Sequence, residues 1–320
     1  MISIAIPLYN EAESLPELMA WISRVVNDHN LETEVILVDD GSTDESWEVI
    51  LKLKEEFSFI KALRFSRNYG KAAGLQAAFE AAKGDVVITM DADLQDSPDE
   101  IPELVRMIRE DGFDLVSGWK KKRYDPLSKT LPTKLYNWAT RKVSGIHLHD
   151  FNCGLKAYRS RVVKSIELYG DMHRYIPVLA KRVGYGNIGE KVVEHRPRKY
   201  GETKYGMARF INGPLDLLTV SFVSRYGKRP MHLFGLYGAI MVLIGMGVFA
   251  WIGGYKIWAL TQNIPAKNIA HMSLFYVALT AMIIGTQLFI GGFLAELVRG
   301  NSPDRNRYII DDEVGFNKSA

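Results

Sequence analysis

The sequence contains a single cysteine, Cys153, in 320 residues. One cysteine excludes an intramolecular disulfide and any zinc site built from several cysteines, and it is compatible with a reducing compartment. The sequence also lacks a charge imbalance, because 40 Lys and Arg residues stand against 37 Asp and Glu residues. The formal net charge of +3 gives no reason to expect a nucleic-acid partner, so any basic surface must be local.

Several other features are missing. Residues 1–7 have neither the basic segment nor the long apolar segment of a secretory signal peptide, so we expect none there. No internal repeat or low-complexity segment is visible, which argues against a solenoid or a disordered chain. The histidines His147, His149 and His173 do not have the spacing of metal ligands.

Long apolar runs are absent up to Arg229, and two then follow, at residues 231–254 and 272–295. As helices they would be roughly 35 Å long, against a hydrocarbon core of about 30 Å. One such run could be a buried core helix, but two in succession favour membrane spans. Basic residues flank the pair more densely than they occur in its connecting loop. The positive-inside rule therefore predicts a multi-pass inner-membrane protein with its N-terminal domain in the cytoplasm.

The N-terminal part alternates between short apolar segments and amphipathic segments. We predict strands at residues 2–7, 34–38, 60–65, 85–90 and 114–117. Helices are predicted between them, at residues 14–27, 44–57, 70–82 and 98–110, with Ser42 or Thr43 capping the second. This alternation is typical of the α/β class with a mainly parallel sheet.

Asp91, Asp93 and Gln95 follow the apolar strand 85–90 directly. Ligands of open α/β sheets bind beyond the carboxyl ends of the strands, and carboxylate and amide oxygens suit Mg²⁺ or Mn²⁺. The alternative interpretation is a polar turn with a helix N-cap at Asp96 or Ser97.

Polar clusters also follow the other predicted strands, at residues 9–11, 39–40 and 66–71. An isolated Asp-Asp-Gly is more often a simple turn. Clusters that meet at one sheet edge, however, outline a nucleotide pocket. In such a pocket Asp39 would accept a hydrogen bond from the ribose or base, and Lys71, Arg64 or Arg67 would meet phosphate charge.

These motifs resemble those of family 2 glycosyltransferases with the GT-A fold. The resemblance is carried by the segments Pro7-Leu8-Tyr9-Asn10-Glu11, Val38-Asp39-Asp40-Gly41-Ser42-Thr43-Asp44, Arg67-Asn68-Tyr69-Gly70-Lys71 and Asp91-Ala92-Asp93-Leu94-Gln95-Asp96. With the two C-terminal apolar runs, the whole chain is similar to polyprenyl-phosphate glycosyltransferases of the dolichyl-phosphate mannose synthase and bactoprenol glucosyltransferase type.

The resemblance and the strand-end clusters together predict site residues for each ligand. The nucleotide of a UDP- or GDP-sugar would contact Pro7, Tyr9, Glu11, Asp39, Asp40 and Lys71. Mg²⁺ or Mn²⁺ would bind Asp91, Asp93 and Gln95. The acceptor phosphate would meet Lys120, Arg123 and Lys134, and the sugar would meet Asp150 and Asn152. Catalysis is expected from Asp91 and Asp93, with Arg198 and Lys204 neutralising the leaving group.

The expected organisation is a cytoplasmic GT-A domain at 1–204, juxtamembrane amphipathic helices at 205–230, two transmembrane helices with a short extracytoplasmic loop at 231–298, and a cytoplasmic tail at 299–320. Glycines in the spans permit a homo-oligomer without requiring one. The predicted reaction is inverting transfer of a sugar to undecaprenyl or dolichyl monophosphate. Transfer to another lipid acceptor or to a polysaccharide stays open, as does a non-catalytic membrane scaffold that binds nucleotide sugars. A processive synthase is disfavoured because the Gln-x-x-Arg-Trp motif is absent.

Overall fold

The computed structural model describes residues 1–121, 137, 138, 140–142, 144–170, 172–197, 199, 200, 230–265, 268–300 and 310–314. The strands are β1 (Ile2–Leu8), β2 (Thr33–Asp39), β3 (Ile60–Phe65), β4 (Val86–Thr89), β5 (Leu115–Trp119), β6 (Lys156–Arg159), β7 (Ile188–Val192) and β8 (Ile310–Val314). The helices are α1 (Leu15–Asp28), α2 (Ser46–Glu56), α3 (Lys71–Ala81), α4 (Ile101–Arg109), α5 (Ser160–Ser165), α6 (Ile176–Arg182), α7 (Pro230–Thr261) and α8 (Ser273–Gly300).

The strands form one mixed sheet in the order β7-β5-β6-β4-β1-β2-β3-β8. Strands β4, β1, β2 and β3 are mutually parallel, whereas β6 and β8 run antiparallel to their neighbours. The prediction of an α/β fold with a mainly parallel sheet is confirmed. The five predicted strands, and the four helices predicted between them, lie within a few residues of the observed ones.

Helices cover both faces of the sheet. On α4, Ile101, Leu104, Val105 and Ile108 are buried, and this i, i+3, i+4, i+7 spacing directs one apolar stripe at the sheet. Helices α1, α2 and α4 pack on one face, while α3, α5 and α6 pack on the other. Helix α3 comes especially close because Gly74 lacks a side chain. A Cβ there would lie 3.0 Å from the Cβ of Pro7.

The register of the strands gathers the polar strand ends at one edge. Leu8 at the end of β1 pairs with Asp39 at the end of β2. Thr89 at the end of β4 pairs with Ala5 on one side and with Lys156, the first residue of β6, on the other. The sheet therefore presents the ends of β2, β1 and β4 and the start of β6 side by side.

Two sequence-based expectations are wrong in detail. Residues 310–314, within the predicted tail, form β8, which extends the sheet by pairing antiparallel with β3. The segment Ile310-Asp311-Asp312-Glu313-Val314 is too acidic to read as a strand from sequence alone, and its backbone pairing covers an otherwise open sheet edge. Helix α2 has Glu45 as N-cap, and neither Ser42 nor Thr43 caps it. The Ser42 hydroxyl instead accepts a hydrogen bond from the backbone N–H of Asn10.

The second compact unit spans residues 225–304 and contains α7 and α8. Two segments are long and apolar enough to cross a membrane, Leu233–Thr261 and Ser273–Ala295. The two helices pack closely, because a Cβ on Gly238 would lie 2.5 Å from the carbonyl oxygen of Gly285. Most large apolar side chains of the two helices are exposed, which is the pattern of helices that face lipid.

Candidate active site

The loops that follow β1 and β2 hold each other through side chains. The backbone N–H of Thr43 donates to Asn10 Oδ1 at 2.8 Å, and the N–H of Glu11 donates to Ser46 Oγ at 2.9 Å. Asn10 adopts a left-handed backbone with φ of 53°, which asparagine tolerates better than most residues. These bonds fix the backbone that carries Tyr9 and Glu11, so one wall of the sheet edge is preorganised.

Asp39 lies at the end of β2 and is fully buried. Its Oδ1 accepts a hydrogen bond from the N–H of Ser42 at 2.9 Å, and its Oδ2 lies 3.7 Å from Nε of Arg64. Burial raises the pKa of Asp39, against the hydrogen bonds from Ser42 and the charge of Arg64. A buried acceptor at a strand end is the kind of group that binds a nucleoside hydroxyl or base N–H.

Asp40 has a different position. Its carboxylate accepts hydrogen bonds from the backbone N–H groups of Tyr69 at 2.7 Å and Gly70 at 2.9 Å, directly before α3. Burial raises the pKa of Asp40 to about 6, because it outweighs those two bonds. The adjoining Gly41 has a φ of 70°, and a Cβ there would lie 2.4 Å from the carbonyl carbon of Arg67. Asp40 therefore holds the loop that leads into α3.

Asp91 follows β4 and forms an ion pair with Lys71, the first residue of α3. Burial alone would raise the pKa of Asp91, but the charges of Lys71 and Lys120 and the hydrogen bond from Lys71 outweigh it and lower the pKa to about 2. Gly154 leaves room for this carboxylate, since a Cβ there would lie 2.5 Å from Asp91 Oδ2. The backbone at Gly154 is held by Thr89, whose hydroxyl donates a hydrogen bond to the Gly154 carbonyl at 2.8 Å.

Asp93, Leu94 and Gln95 complete the acidic turn. Leu94 has a φ of 60°, which is costly for a branched side chain and marks a constrained turn. Asp93 is buried, and its Oδ1 accepts the N–H of Gln95 at 3.2 Å. Two carboxylates and an amide oxygen are hard donors that fit Mg²⁺ or Mn²⁺. Across the described ranges no three His, Cys, Asp or Glu side chains form a cluster able to hold an ion, so a metal here would need further oxygens from its ligand.

Asp96, which the sequence offered as a helix cap, is instead buried against Lys120. Lys120 Nζ lies 2.7 Å from Asp96 Oδ1, and their side chains are 12% and 0% exposed. Asp96 also forms an isolated β-bridge with His195, and the N–H of Arg196 donates to the Gln95 carbonyl at 3.0 Å. The acidic turn is therefore attached on one side to β5 and on the other to the segment that follows β7.

That segment also packs on α1. The guanidinium of Arg196 lies 4.3 Å from the ring centroid of Trp21. Glu17 accepts from Lys199 Nζ at 2.6 Å and from the Tyr200 hydroxyl at 3.2 Å. These contacts flank position 198, which itself lies outside the described residues.

A cavity of about 200 Å³ opens beside Asp91. Its lining comes from α3, β4, the 151–156 turn, β6 and the short helix at 172–175. The polar side chains in this lining include Lys71, Asp91, Asn152, Lys156, His173 and Arg174. Lys156 is 3% exposed, and its ammonium donates to the Cys153 carbonyl. Burial and the charges of Lys71 and Arg174 hold the pKa of His173 well below its usual range. This cavity extends from the acidic turn toward β6.

The structure thus brings most described candidate residues to one sheet edge. Of the predicted sugar contacts, Asn152 lines the cavity, whereas Asp150 is buried and its Oδ1 accepts the N–H of Asn152 at 3.0 Å. Cys153 is buried, and burial raises the pKa of its thiol to about 12, which agrees with a packing role. Four predicted site residues lie outside the described residues, namely Arg123, Lys134, Arg198 and Lys204.

Sequence reasoning assigned no individual site role to Lys156, Arg174 or His195, and it considered His173 only as a metal ligand. A signal for Lys156 exists, because a lysine inside the apolar segment Leu155–Tyr158 is out of place in a buried strand. His173 and Arg174 carry no such signal, since only the packing of α3, β4 and β6 shows that they line the cavity.

Comparison with known proteins identifies the family. Residues 3–167 match the family described as "Glycosyl transferase family 2". The chain belongs to that family. It is 34% identical over 300 residues to a dodecaprenyl-phosphate galacturonate synthase of Rhizobium johnstonii, covering 93% of this chain and 87% of the relative. It is also 34% identical to an undecaprenyl-phosphate 4-deoxy-4-formamido-L-arabinose transferase of Aeromonas hydrophila, covering 98% and 94%.

Solved structures support the GT-A-like fold of this family 2 glycosyltransferase. Glucosyl-3-phosphoglycerate synthase from Mycobacterium tuberculosis, crystallised with Mn²⁺ and UDP-glucose, aligns with a TM-score of 0.54 at 20% identity. The alignment covers 70% of this chain and 78% of that one. The sheet edge described above is thus part of an enzyme, a glycosyltransferase related to polyprenyl-phosphate sugar transferases.

Proposed function

We propose that this glycosyltransferase transfers a sugar from a nucleotide diphosphate sugar to a polyprenyl monophosphate. One observation carries the proposal. A preorganised edge with Asp39, Asp91 and Asp93 belongs to a chain that also has two helices able to cross a membrane. Relatives named for polyprenyl-phosphate transfer align with nearly the whole chain.

The donor is proposed to lie across the strand ends. Pro7, Tyr9, Glu11 and Asp39 would bind the nucleoside of a UDP- or GDP-sugar. Asp40 would act on this part of the site indirectly, because its carboxylate holds the Tyr69–Gly70 backbone. Lys71 would stay with Asp91 and help fix the acidic turn.

A divalent metal ion, Mg²⁺ or Mn²⁺, is proposed on Asp91, Asp93 and Gln95. When bound, it would neutralise the negative charge that develops on the departing diphosphate. The chain's own cations would share this task, with Arg198 and Lys204 as the predicted residues. Arg196, two residues before position 198, is attached to the acidic turn, because its backbone N–H donates to the Gln95 carbonyl.

The chemistry requires alignment more than proton transfer. A phosphate oxygen of the acceptor attacks the anomeric carbon, the bond from that carbon to the donor diphosphate breaks, and the nucleoside diphosphate leaves with the electron pair. The acceptor phosphate has a second pKa near 6 and is already an anion at neutral pH. No essential general base is therefore proposed, and direct displacement inverts the anomeric centre. The buried Lys120 is occupied by Asp96, so Arg123 and Lys134 are the stronger candidates for the acceptor phosphate.

Membrane topology follows from charge. We infer that α7 and α8 span the inner membrane with the catalytic domain on the cytoplasmic side, where nucleotide sugars are made. Basic residues on the outer flanks of the two helices support this orientation.

The test uses purified full-length protein in detergent with polyprenyl phosphate and radiolabelled nucleotide sugars. Label is expected to pass into the organic phase, and Asp93→Ala is expected to abolish this transfer. NMR of the product is expected to show inversion at the anomeric carbon, and retention would refute direct displacement. Label found in a glycerolipid or a polysaccharide would identify another acceptor, and binding without turnover would indicate a scaffold.

A further inference from the structure

The cavity beside Asp91 has more positive than negative charge on its walls. Lys71, Lys156 and Arg174 are cations, and Asp91 is the one carboxylate among the cavity-lining residues that the structure describes. Lys71 and Asp91 neutralise each other by forming an ion pair. The walls also carry Lys156, Arg174 and the imidazole of His173.

Lys156 is an unusual residue for its position. It is 3% exposed, on a strand whose neighbours Leu155, Ala157 and Tyr158 are fully buried. Within the described part of the chain, its ammonium makes one hydrogen bond, to the Cys153 carbonyl. An ammonium has three N–H donors, and burying it without further partners is costly. A lysine at this position is best explained by a ligand that accepts hydrogen bonds from its other N–H groups.

His173 adds a second polar group whose hydrogen-bonding capacity is not filled. Its Nδ1 is buried and has no hydrogen-bond partner among the described residues. It lies in the same cavity as Lys156, on the short helix Met172–Tyr175. Buried polar atoms without partners are rare in folded proteins, so this nitrogen also points to a ligand-binding role for the cavity.

The sheet order shows which part of the donor would reach these groups. Neighbouring strands are about 5 Å apart. Asp39 ends β2, Asp91 follows β4, and Lys156 begins β6, on the side of β4 away from β1 and β2. A donor with its nucleoside at β1 and β2 and its diphosphate at the acidic turn would place its sugar beside β6.

We propose that this cavity binds an acidic group on the transferred sugar, so that the preferred donor is a nucleotide-linked uronic acid. The inference rests on the proposed function and deepens it by naming the class of sugar. Lys156 would pair with the sugar carboxylate, and His173 and Arg174 would complete its hydrogen bonds. Neutral sugars would leave the buried ammonium unpaired, and the enzyme would discriminate against them.

The experiment compares donors that differ only in the carboxylate. Full-length enzyme and polyprenyl phosphate are supplied with UDP-glucose or UDP-glucuronic acid, UDP-galactose or UDP-galacturonic acid, and GDP-mannose or GDP-mannuronic acid. In at least one pair the acidic donor is expected to have a kcat/KM higher by roughly 100-fold. Lys156→Met is expected to remove most of this preference, chiefly by slowing the acidic donor.

Two further variants separate charge from folding. Lys164→Met is the matched control, because Lys164 Nζ also donates to backbone carbonyls, those of Phe79 and Glu80, but outside the cavity. It should leave the donor preference unchanged. Lys156→Arg keeps the positive charge and should keep the preference even if Lys156→Met fails to fold.

The outcomes distinguish this inference from the function on which it rests. Lipid product from neutral donors alone, or equal rates within every pair, overturns the uronic acid inference and leaves the glycosyltransferase function standing. A Lys156→Met enzyme whose KM rises for polyprenyl phosphate equally with both donor classes assigns the cavity to the acceptor phosphate, which also overturns it. No lipid-linked sugar from any donor counts against the proposed function itself.

Discussion

Lys120 and Asp96 form a buried ion pair, with 2.7 Å between Nζ and Oδ1, directly behind the acidic turn of the site. The pair fixes the C-terminal end of that turn to the end of β5, while the β-bridge of Asp96 with His195 fixes it to the segment after β7. Lys120 is thus better described as a residue that positions the acidic turn than as an exposed cation that is available to bind a phosphate.

Breaking this pair from either side should destabilise the domain. Lys120→Met or Asp96→Leu leaves one buried charge alone, at a cost of about 3 kcal/mol. For a domain of this size, the melting temperature should fall by roughly 6–12 °C. The double variant should lose less stability than the two single variants added together, because it leaves no unpaired charge. Strictly additive changes in melting temperature would show that the pair is not coupled. A Lys120→Met enzyme of normal stability but raised KM for polyprenyl phosphate would restore the phosphate role.

Gly154 offers a test of how tightly the acidic turn is held. A Cβ at this position would lie 2.5 Å from Asp91 Oδ2, so Gly154→Ala must displace the carboxylate. A displacement of about 1 Å at a catalytic group can cost roughly 100-fold in rate, and we expect a loss of that order in kcat. Gly186→Ala is the control, since nothing lies within 4 Å of a Cβ there. Equal activities of the two variants would show that the position of Asp91 is unimportant.

Much of this fold is predictable from the sequence. The β-branched strands and the amphipathic helices between them have periodicities that only the α/β class accommodates, and the polar strand ends then fall at one edge. The sequence does not predict strand β8, because side-chain hydrophobicity does not reveal backbone pairing and because Ile310–Val314 has three consecutive acidic residues.

The site is less predictable than the fold, for a physical reason. Asp91, Asp93 and Gln95 are adjacent in the chain, so a motif can reveal them. The partners Lys120 and Asp96 are far enough apart in sequence that only β5 packing beside the turn brings them together. The cavity groups Lys156 and His173 depend in the same way on the antiparallel entry of β6 next to β4. Sequence patterns identify the acidic turn but not the residues that hold it in place.

Removal of divalent metal tests whether sugar transfer depends on an ion at the acidic turn. We expect EDTA to abolish sugar transfer and added Mn²⁺ or Mg²⁺ to restore it. Asp93→Asn should raise the metal concentration needed for half-maximal rate by at least about tenfold, because an amide oxygen is a weaker ligand than a carboxylate. Asp99→Asn is the control, since Asp99 pairs with Arg24 at the surface. Full activity in EDTA would refute the metal site.

Asp40 should give the domain a pH-dependent stability. Burial raises the pKa of Asp40 to about 6 in the folded protein, above its ordinary value of 3.8. Because the folded state binds the proton more tightly than the unfolded state, this carboxyl stabilises the fold most at low pH, and the contribution is lost as the pH rises through 6. The relevant window is therefore between about pH 4 and pH 6, with stability declining as pH increases.

Asp40→Asn tests this directly. The amide cannot accept from both the Tyr69 and Gly70 N–H groups, so the substitution should destabilise the protein at every pH. The loss in the free energy of unfolding should nevertheless be about 1 kcal/mol smaller at pH 7.5 than at pH 5. Between these pH values the wild type must ionise a buried carboxyl, whereas the variant has no such group to ionise. Melting temperatures of the full chain in detergent at both pH values measure the difference, with Asp28→Asn as an exposed control. A cost that is equal at the two pH values, or larger at pH 7.5, would contradict a pKa of about 6 for Asp40 in the folded protein.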